Sequence, residues 1–327
     1  MSINNTRKIS IIAPCFNGEN YIDRFMESII KQTDKDIQLI IVNDGSTDLT
    51  ENKLKNYEKS FDEVGITYVH LFQENQGIGG AINNALKLVD AKYLTWLGTD
   101  DFIYPTYVEK MTSFLDSNQD IAVARCDGYL VDEQDVSIIK GRFAEGNEDK
   151  HNPYLFENAI EEKGFHFGYS VLRMDIFDKC NPKREIYPSR QGQNWQLLLP
   201  VFYKNKAAFI DEALYAVVAN TESVSRSPHK SYEKTKAQNL EYEKILVTVL
   251  QSMEMASSDK EKYLKMVELK YIRRRMVSAI DFEQFSDAIL EYQKLKRLNQ
   301  VEMSDRKFYI RAKFPVIHFM IKKIKHR

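Results

Sequence analysis

The 327-residue chain is poor in the residues that staple or punctuate a fold, and each shortage excludes something. It has three cysteines, Cys15, Cys126 and Cys180, and no Cys-x-x-Cys pair. So sparse and odd a count argues against a disulfide framework and for a reducing compartment. No stretch approaches the roughly 20 apolar residues of a membrane span. Met1 to Lys8 is polar and the apolar run after it is only a strand long, unlike a secretory signal. The net charge of −1 gives no overall attraction to nucleic acid, and none is expected as a partner. Glycine is absent after Pro228, where Pro315 is the one remaining proline. Acidic residues are absent from 306–327, which holds eight basic side chains. These shortages together describe a cytoplasmic protein with an acidic body and a basic end.

What is present is ordinary for a globular chain: 43% apolar and 28% charged residues, enough for a large core in one or two domains. The first 125 residues alternate between strand and helix patterns. Strands are expected near 8–14, 36–43, 66–72, 91–97 and 120–126, and helices near 19–32, 47–61, 78–89 and 104–117. Ser46-Thr47-Asp48 offers N-cap oxygens to the second helix, and Pro105 suits a first helical turn. Such alternation predicts an α/β fold, a mostly parallel central sheet flanked by helices. From 127 to 227 the pattern loosens into short strands near 128–139 and 206–219 and a helix starting near Gln193. Beyond 229 it is helical: Tyr242, Ile245, Leu246, Val249, Leu250 and Met253 form one apolar stripe, and Phe282, Phe285, Ile289 and Tyr292 a second. The expected division is 1–225, with halves of about 1–125 and 126–225, and a helical C-terminal region at 226–327.

Three predicted strands end in polar loops, the arrangement by which open α/β sheets bind ligands. The first is Ser10-Ile-Ile-Ala-Pro14-Cys-Phe16-Asn17. The second is Asn43-Asp44-Gly45-Ser46-Thr47-Asp48, where an Asx turn and helix cap account for Ser46 to Asp48 but leave Asp44 without a role. The third is Gly98-Thr99-Asp100-Asp101, whose adjacent carboxylates suit a divalent cation or an N-cap pair. A further loop, Asn75-Gln-Gly77-Ile-Gly79-Gly80-Ala-Ile82-Asn83, lets main chain approach a ligand and opens a helix whose N-terminus favours phosphate. Its Gly-x-Gly-Gly spacing, after the third strand, is not the dinucleotide fingerprint.

In order and spacing these motifs resemble the family 2 glycosyltransferases of the GT-A fold, closely over residues 8–120 and loosely over 160–225. The resemblance implies inverting transfer of a sugar from a nucleotide-sugar, usually UDP-linked, with Mn²⁺ or Mg²⁺; the expected acceptor is a glycan, lipid-linked as the basic tail would suit, in cell-surface polysaccharide synthesis. It places Pro14, Phe16, Asn17, Glu19, Asp44, Gly77, Asn83 and Asp100 around the donor, and Asp101 with Asp100 at the metal. In Gln191-Gly192-Gln193-Asn194-Trp195, the Gln193-Asn194 pair stands where the family carries Glu-Asp, whose Asp is the general base. An amide does not take up a proton at neutral pH. Gln193 and Asn194 are therefore expected to orient the acceptor, with His166 or Asp127 as alternative bases. His166 lies in Gly164-Phe-His-Phe-Gly168, similar to an acceptor-side loop of the family. A donor-binding or scaffolding subunit without efficient transfer is the other reading.

Two further departures concern charge. Gly98 replaces the first acid of the usual Asp-x-Asp, and Ile82 stands where the family carries Arg, leaving Lys87 or Arg190 as substitutes. Trp195 with Leu197, Leu198 and Leu199 reads as a core-packed helix, Arg173 and Arg190 as surface side chains or as groups reaching phosphate, and Asn220 to Arg226 as a closing segment over the donor. The tail mixes Lys313, Lys322, Lys323 and Lys325 with Phe314, Val316, Ile317, Phe319 and Met320. That mixture suits an anionic membrane surface, on the inner face of the cell membrane, or a core-packed helix with a solvated end. A homo-oligomer is compatible with the sequence.

Overall fold

Apolar runs bounded by polar turns become the strands of one sheet. The structure, a computed structural model, describes residues 7–163, 168–219 and 231–325. The strands are β1 (Arg7–Cys15), β2 (Ile37–Asn43), β3 (Thr67–Phe72), β4 (Ala91–Trp96), β5 (Phe102–Ile103), β6 (Ile121–Val131), β7 (Ile139–Arg142), β8 (Ser170–Arg173) and β9 (Lys206–Val218). Their order is β3-β2-β1-β4-β8-β6-β9-β5, with β7 paired to β6. The β3-β2-β1-β4 block is parallel throughout, and β6 runs parallel to β9. Antiparallel β8 joins these two blocks, so the sheet is mixed at its centre but parallel over most of its ladder. β1 and β2 are buried on both faces, which is why they read as mostly apolar runs, and their inner polar residues Ser10 and Gln38 hydrogen-bond each other.

The helices of this part are α1 (Ile22–Ile30), α2 (Thr50–Asn56), α3 (Glu58–Glu63), α4 (Gly77–Leu86), α5 (Tyr107–Ser117), α6 (Phe156–Glu161), α7 (Met174–Cys180) and α8 (Gln193–Phe202). In α1, Ile22, Phe25, Met26 and Ile29 recur at i, i+3, i+4 and i+7 and are wholly buried. The chain passes from β1 to β2 to β3 in one direction and then places β4 on the other side of β1. The direction of winding thus reverses between β1 and β4, where open sheets bind ligands beyond the strand ends.

Several local expectations are corrected. The helix expected over 47–61 is two, α2 and α3, because the Tyr57 N–H turns to Leu54 O and tightens the chain there. Ser46 does not cap α2; its hydroxyl accepts from the Asn17 N–H, while Asp48 accepts from Thr50 N–H. Pro105 lies outside α5, which begins at Tyr107, and its carbonyl accepts the Thr33 N–H. The strand expected near 128–139 is the end of a longer β6. An Asp132-centred turn then leads to β7. The two-residue β5 carries too little pattern to be legible.

The chain divides into two compact units, Met1–Ser223 and Val224–Arg327. The second contains α9 (Tyr232–Ser252), α10 (Ser257–Asp281), α11 (Phe285–Arg297), α12 (Met303–Lys313) and α13 (Pro315–Lys325). Ile245, Leu246, Val249, Leu250 and Met253 of the α9 stripe are buried. Ile272, Met276, Ile280, Ala288 and Leu295 form a core onto which Phe285, Ile289 and Tyr292 pack. In α13, His318 is buried against the Phe285 ring, while Val316, Phe319 and Met320 are exposed. Among the described residues no helix is long and apolar enough to cross a membrane.

Candidate active site

Parallel β1, β2 and β4 deliver their carboxyl ends to the same edge of the sheet. Asp44 N–H donates to Cys15 O (2.8 Å) and Leu97 N–H to Ile12 O (2.9 Å), so the three polar loops leave the sheet side by side. Cys15 sits between the second and third loops. Burial pushes its thiol up to about 12, with a hydrogen bond to Thr99 pulling down and the charges of Asp48 and Asp100 pushing up.

Asp44 is nearly buried, and its carboxylate has a definite occupation. One oxygen accepts from Gln73 Nε2 (2.7 Å) and from the Gln76 N–H (2.8 Å), the other from the Gly77 N–H (2.8 Å). Hydrogen bonds to a charged acceptor contribute about 1.5–3 kcal/mol each, so Asp44 fixes the 73–77 loop whatever else it does. A carboxylate has about four acceptor positions, which leaves room for one more donor.

The glycines of that loop accommodate protein. Gly77, at φ +78°, lies under Arg190: a Cβ there would sit 2.8 Å from Arg190 Cγ. A Cβ on Gly79 would meet the Ser189 main chain at 2.7 and 2.9 Å, and the Gly79 N–H donates to Ser189 O. Asn83 is spent in the same contact. Its Nδ2 donates to Ile186 O (2.9 Å) and its Oδ1 accepts the Ile186 N–H (2.7 Å). On the side where side chains would project from Gly77 and Gly79, the loop is thus closed by the chain's own 186–190 segment.

The first loop is braced likewise. Asn17, at φ +50°, accepts the Thr47 N–H on Oδ1; Glu19 accepts the Leu49 N–H and gives its own N–H to Asp48. Pro14 is half-buried, and Phe16 is exposed at 47%.

At the third loop Asp101 is buried, accepting from Tyr169 Oη (2.7 Å) and from the Val218 N–H (2.9 Å). Tyr169 also accepts the Gly98 N–H. Burial, then the Asp101 charge, pushes its phenol well above its ordinary value, so it stays a donor. The Arg24 guanidinium donates to Asp100 O (2.5 Å). Burial lowers the Arg24 guanidinium from its ordinary value while Asp101, Asp100 and Glu133 oppose that shift. The Asp100 carboxylate is half-buried and has no hydrogen-bond partner among the described residues. Arg24 and Tyr169 carry no sequence signal, since each resembles any other residue of its helix or loop.

The carboxylates of Asp100 and Asp101 form an oxygen donor set that fits a hard divalent cation. No group of three His, Cys, Asp or Glu side chains able to hold a metal occurs among the described residues. An ion here would complete its shell with phosphate oxygens and water, as Mg²⁺ commonly does.

Across from this turn, α8 begins at Gln193. Trp96, the last residue of β4, donates its indole N–H to Asn194 Oδ1 (2.7 Å). An indole N–H only donates, so the Asn194 amide is fixed with its NH₂ turned away from Trp96. That NH₂ has no partner among the described residues, nor has the Gln193 side chain. The group at this position is therefore a hydrogen-bond donor. Asp127 is corrected as a candidate base: its carboxylate is filled by Arg142 (2.6 and 2.7 Å) and the Gly128 and Ala144 N–H groups. His166 and the closing segment 220–226 lie outside the described residues. Arg173 is no surface residue; it is buried and donates to the carbonyls of Leu115, Ile121 and Asn118. Trp195 is core, donating to Ala159 O. Ile82 is fully buried, and Lys87, at the far end of α4, lies about 15 Å along the axis from Gly77.

A sheet that winds in both directions, with an aspartate-anchored glycine loop and paired carboxylates at its strand ends, is an open α/β sheet with its polar loops gathered where such sheets bind ligands. Residues 10–180, just over half of the chain, match the family model for glycosyl transferase family 2, and the chain belongs to that family. It is 37% identical over 132 residues to an uncharacterized glycosyltransferase of Rickettsia prowazekii, covering 40% of this chain and 39% of the relative. It is 28% identical over 256 residues to the uncharacterized glycosyltransferase YibD of Escherichia coli, covering 77% and 72%. The chain thus spans about two fifths of the length of the rickettsial relative it matches. In architecture it is similar to Staphylococcus aureus TarS residues 1–349, solved with UDP-GlcNAc, at a TM-score of 0.64 and 16% identity over 94% of this chain and 91% of that one. The fold is the GT-A fold, followed by a helical C-terminal region.

Proposed function

We propose that this chain is an inverting glycosyltransferase that moves a hexose-type sugar from a UDP-sugar to a glycan acceptor. The observation that carries the reading is the meeting, at one sheet edge, of the Asp44–Gly77 junction with the Asp100-Asp101 turn. TarS, of the same fold, is known with UDP-GlcNAc, which supports a uridine donor. In this reading the remaining acceptor position of Asp44 takes a ring N–H of the base, and Phe16 lies against the base face. Pro14, Asn17 and Glu19 shape the pocket through the braced first loop. A divalent ion held by Asp100 and Asp101 would neutralise the departing diphosphate. Asn194 and Gln193 orient the acceptor hydroxyl by donating to it, and its proton goes to another group, with His166 the candidate.

The test is calorimetric titration of UDP with and without Mn²⁺ on the wild type and on Asp101→Ala. Metal-dependent micromolar binding that disappears in the variant supports the reading; no binding of UDP under either condition overturns it. The fixed Asn194 amide favours a second reading, a donor-binding subunit of a glycan-assembly complex with little transfer of its own. Transfer by the wild type from any UDP-sugar would remove that reading.

We further propose that the second unit rests on the inner face of the cell membrane, where a lipid-linked acceptor would be presented for polysaccharide synthesis. Exposed Phe314, Val316, Phe319 and Met320 lie in a stretch carrying Lys313 and Lys323, and each cation near anionic lipid adds about 1 kcal/mol. Co-sedimentation with phosphatidylglycerol vesicles, lost with neutral vesicles and in a Phe319→Glu, Met320→Glu double variant, is the expected result. Equal recovery with neutral vesicles would sink the idea.

A further inference from the structure

The first unit has seven arginines among its described residues, and six are committed to protein. Arg7 pairs with Asp36, Arg142 with Asp127 and Arg184 with Asp178. Arg24, Arg125 and Arg173 donate to main-chain carbonyls. Arg190 alone has neither a hydrogen bond nor an ion pair among the described residues. It is exposed, yet its stem is not loose. Cγ, Cβ and Cα lie 2.8, 3.7 and 3.6 Å from where a Cβ on Gly77 would be. The absent side chain of Gly77 is what lets Arg190 lie there.

The place it occupies has an electrostatic character. Gly77 is the first residue of the ten-residue α4, whose N-terminus carries partial positive charge. The Gly77 N–H is bonded to Asp44, so Arg190 lies against the loop that Asp44 anchors. Four residues further on, Asn194 is tied to the end of β4. Arg190 therefore has its stem on the glycine loop, four residues before the group tied to the end of β4, and carries a planar, permanently charged fork that matches phosphate oxygens.

We propose that Arg190 grips a phosphate of the nucleoside diphosphate donor. This rests on the donor reading above. The guanidinium binds the phosphate by charge-assisted hydrogen bonds, and Gly77 serves as the floor for its stem.

The experiment is calorimetric titration of UDP and of uridine, at one fixed Mn²⁺ concentration, on the wild type, Arg190→Met and Arg190→Lys. Methionine keeps an apolar stem over Gly77 without the charge. UDP binding should weaken about tenfold in Arg190→Met and recover in part in Arg190→Lys, the size of one charge-assisted bond, with uridine binding unchanged. UDP bound equally by Arg190→Met and the wild type would overturn the proposal while leaving the donor reading intact. So would an equal loss for uridine and UDP, which would mean a role toward the base or in packing. Failure of the wild type to bind UDP at all would overturn the donor reading and this proposal with it. Because Arg190 is exposed and without partners, thermal melting of the variants should match the wild type, and a large drop would count against a ligand-facing role.

Discussion

The strand-end loops of β1 and β2 and the segment 186–194 meet at one edge of the sheet but use polar side chains in opposite ways. On the first side Asn17, Glu19 and Asp44 bind main-chain N–H groups of neighbouring loops. On the second, Asn194 commits only its oxygen and Arg190 commits only its stem. Loops that must hold a fixed shape spend their polar atoms on themselves, because an unpaired buried N–H costs as much as a lost hydrogen bond. Asn194 and Arg190, proposed above to face acceptor and donor, keep theirs in reserve. A polar motif residue is thus as much a statement about loop rigidity as about chemistry.

The largest expected effect is at the third loop, beside these two. Asp101→Ala should lower transfer by about 100-fold, the scale of losing charge stabilisation at a leaving group. A steady-state assay against a UDP-sugar panel measures it, and transfer within threefold of the wild type would remove Asp101 from the site. Next is Asn194→Asp. A carboxylate can still accept the Trp96 indole N–H, so the fold should hold while a second oxygen becomes available as a base. Transfer should change little, because another group takes the proton in the proposed reading; a rise of about 100-fold, within the range general bases supply, would instead favour the second reading, a subunit that lacks its base.

The braced side is tested through stability. Gly79→Ala forces a methyl group against the Ser189 main chain and should cost about 1–3 kcal/mol, as overpacking does. Gly141→Ala, with nothing within 4 Å of the added carbon, should stay within about 0.5 kcal/mol. Equal denaturation midpoints for the two would break the claim that the glycine loop is closed by protein.

The smallest effect is that of pH. Burial works against the Asp48 charge, yet the Thr50 hydroxyl and the Glu19 and Thr50 amides hold its carboxyl below the usual range of about 4. A depressed folded-state value means that this stabilisation is present above about pH 4 and is lost as pH falls through the folded value. Melting temperature followed from pH 6 to pH 3 should therefore fall less in Asp48→Asn than in the wild type. Parallel curves would show that the brace between the loops does not depend on charge.

Much of the fold was legible because its cause is local. β1, β2 and β4 are mostly apolar runs, and the α1 and α9 stripes have the helical period. Each of these patterns follows from burial of one segment and needs no knowledge of its neighbours. Antiparallel β8 between the two parallel blocks was not legible, because strand order depends on which edges meet. The same division runs through the site. Acidic turns at strand ends could be found by spacing alone, whereas Tyr169, Arg24 and the Trp96–Asn194 bond join residues 68, 76 and 98 positions apart.

By itself, then, the sequence determined where strands end in polar loops, that Asn194 is an amide, and that the last residues are basic and apolar together. Those are properties of residue type and period. Only the tertiary structure decided that Asp44 anchors the glycine loop, that Asp127 is neutralised by Arg142, and that Arg190 alone among the described arginines of its unit is uncommitted. A charged group's role is set by what lies within hydrogen-bonding distance of it, and folding brings those partners together from distant parts of the chain.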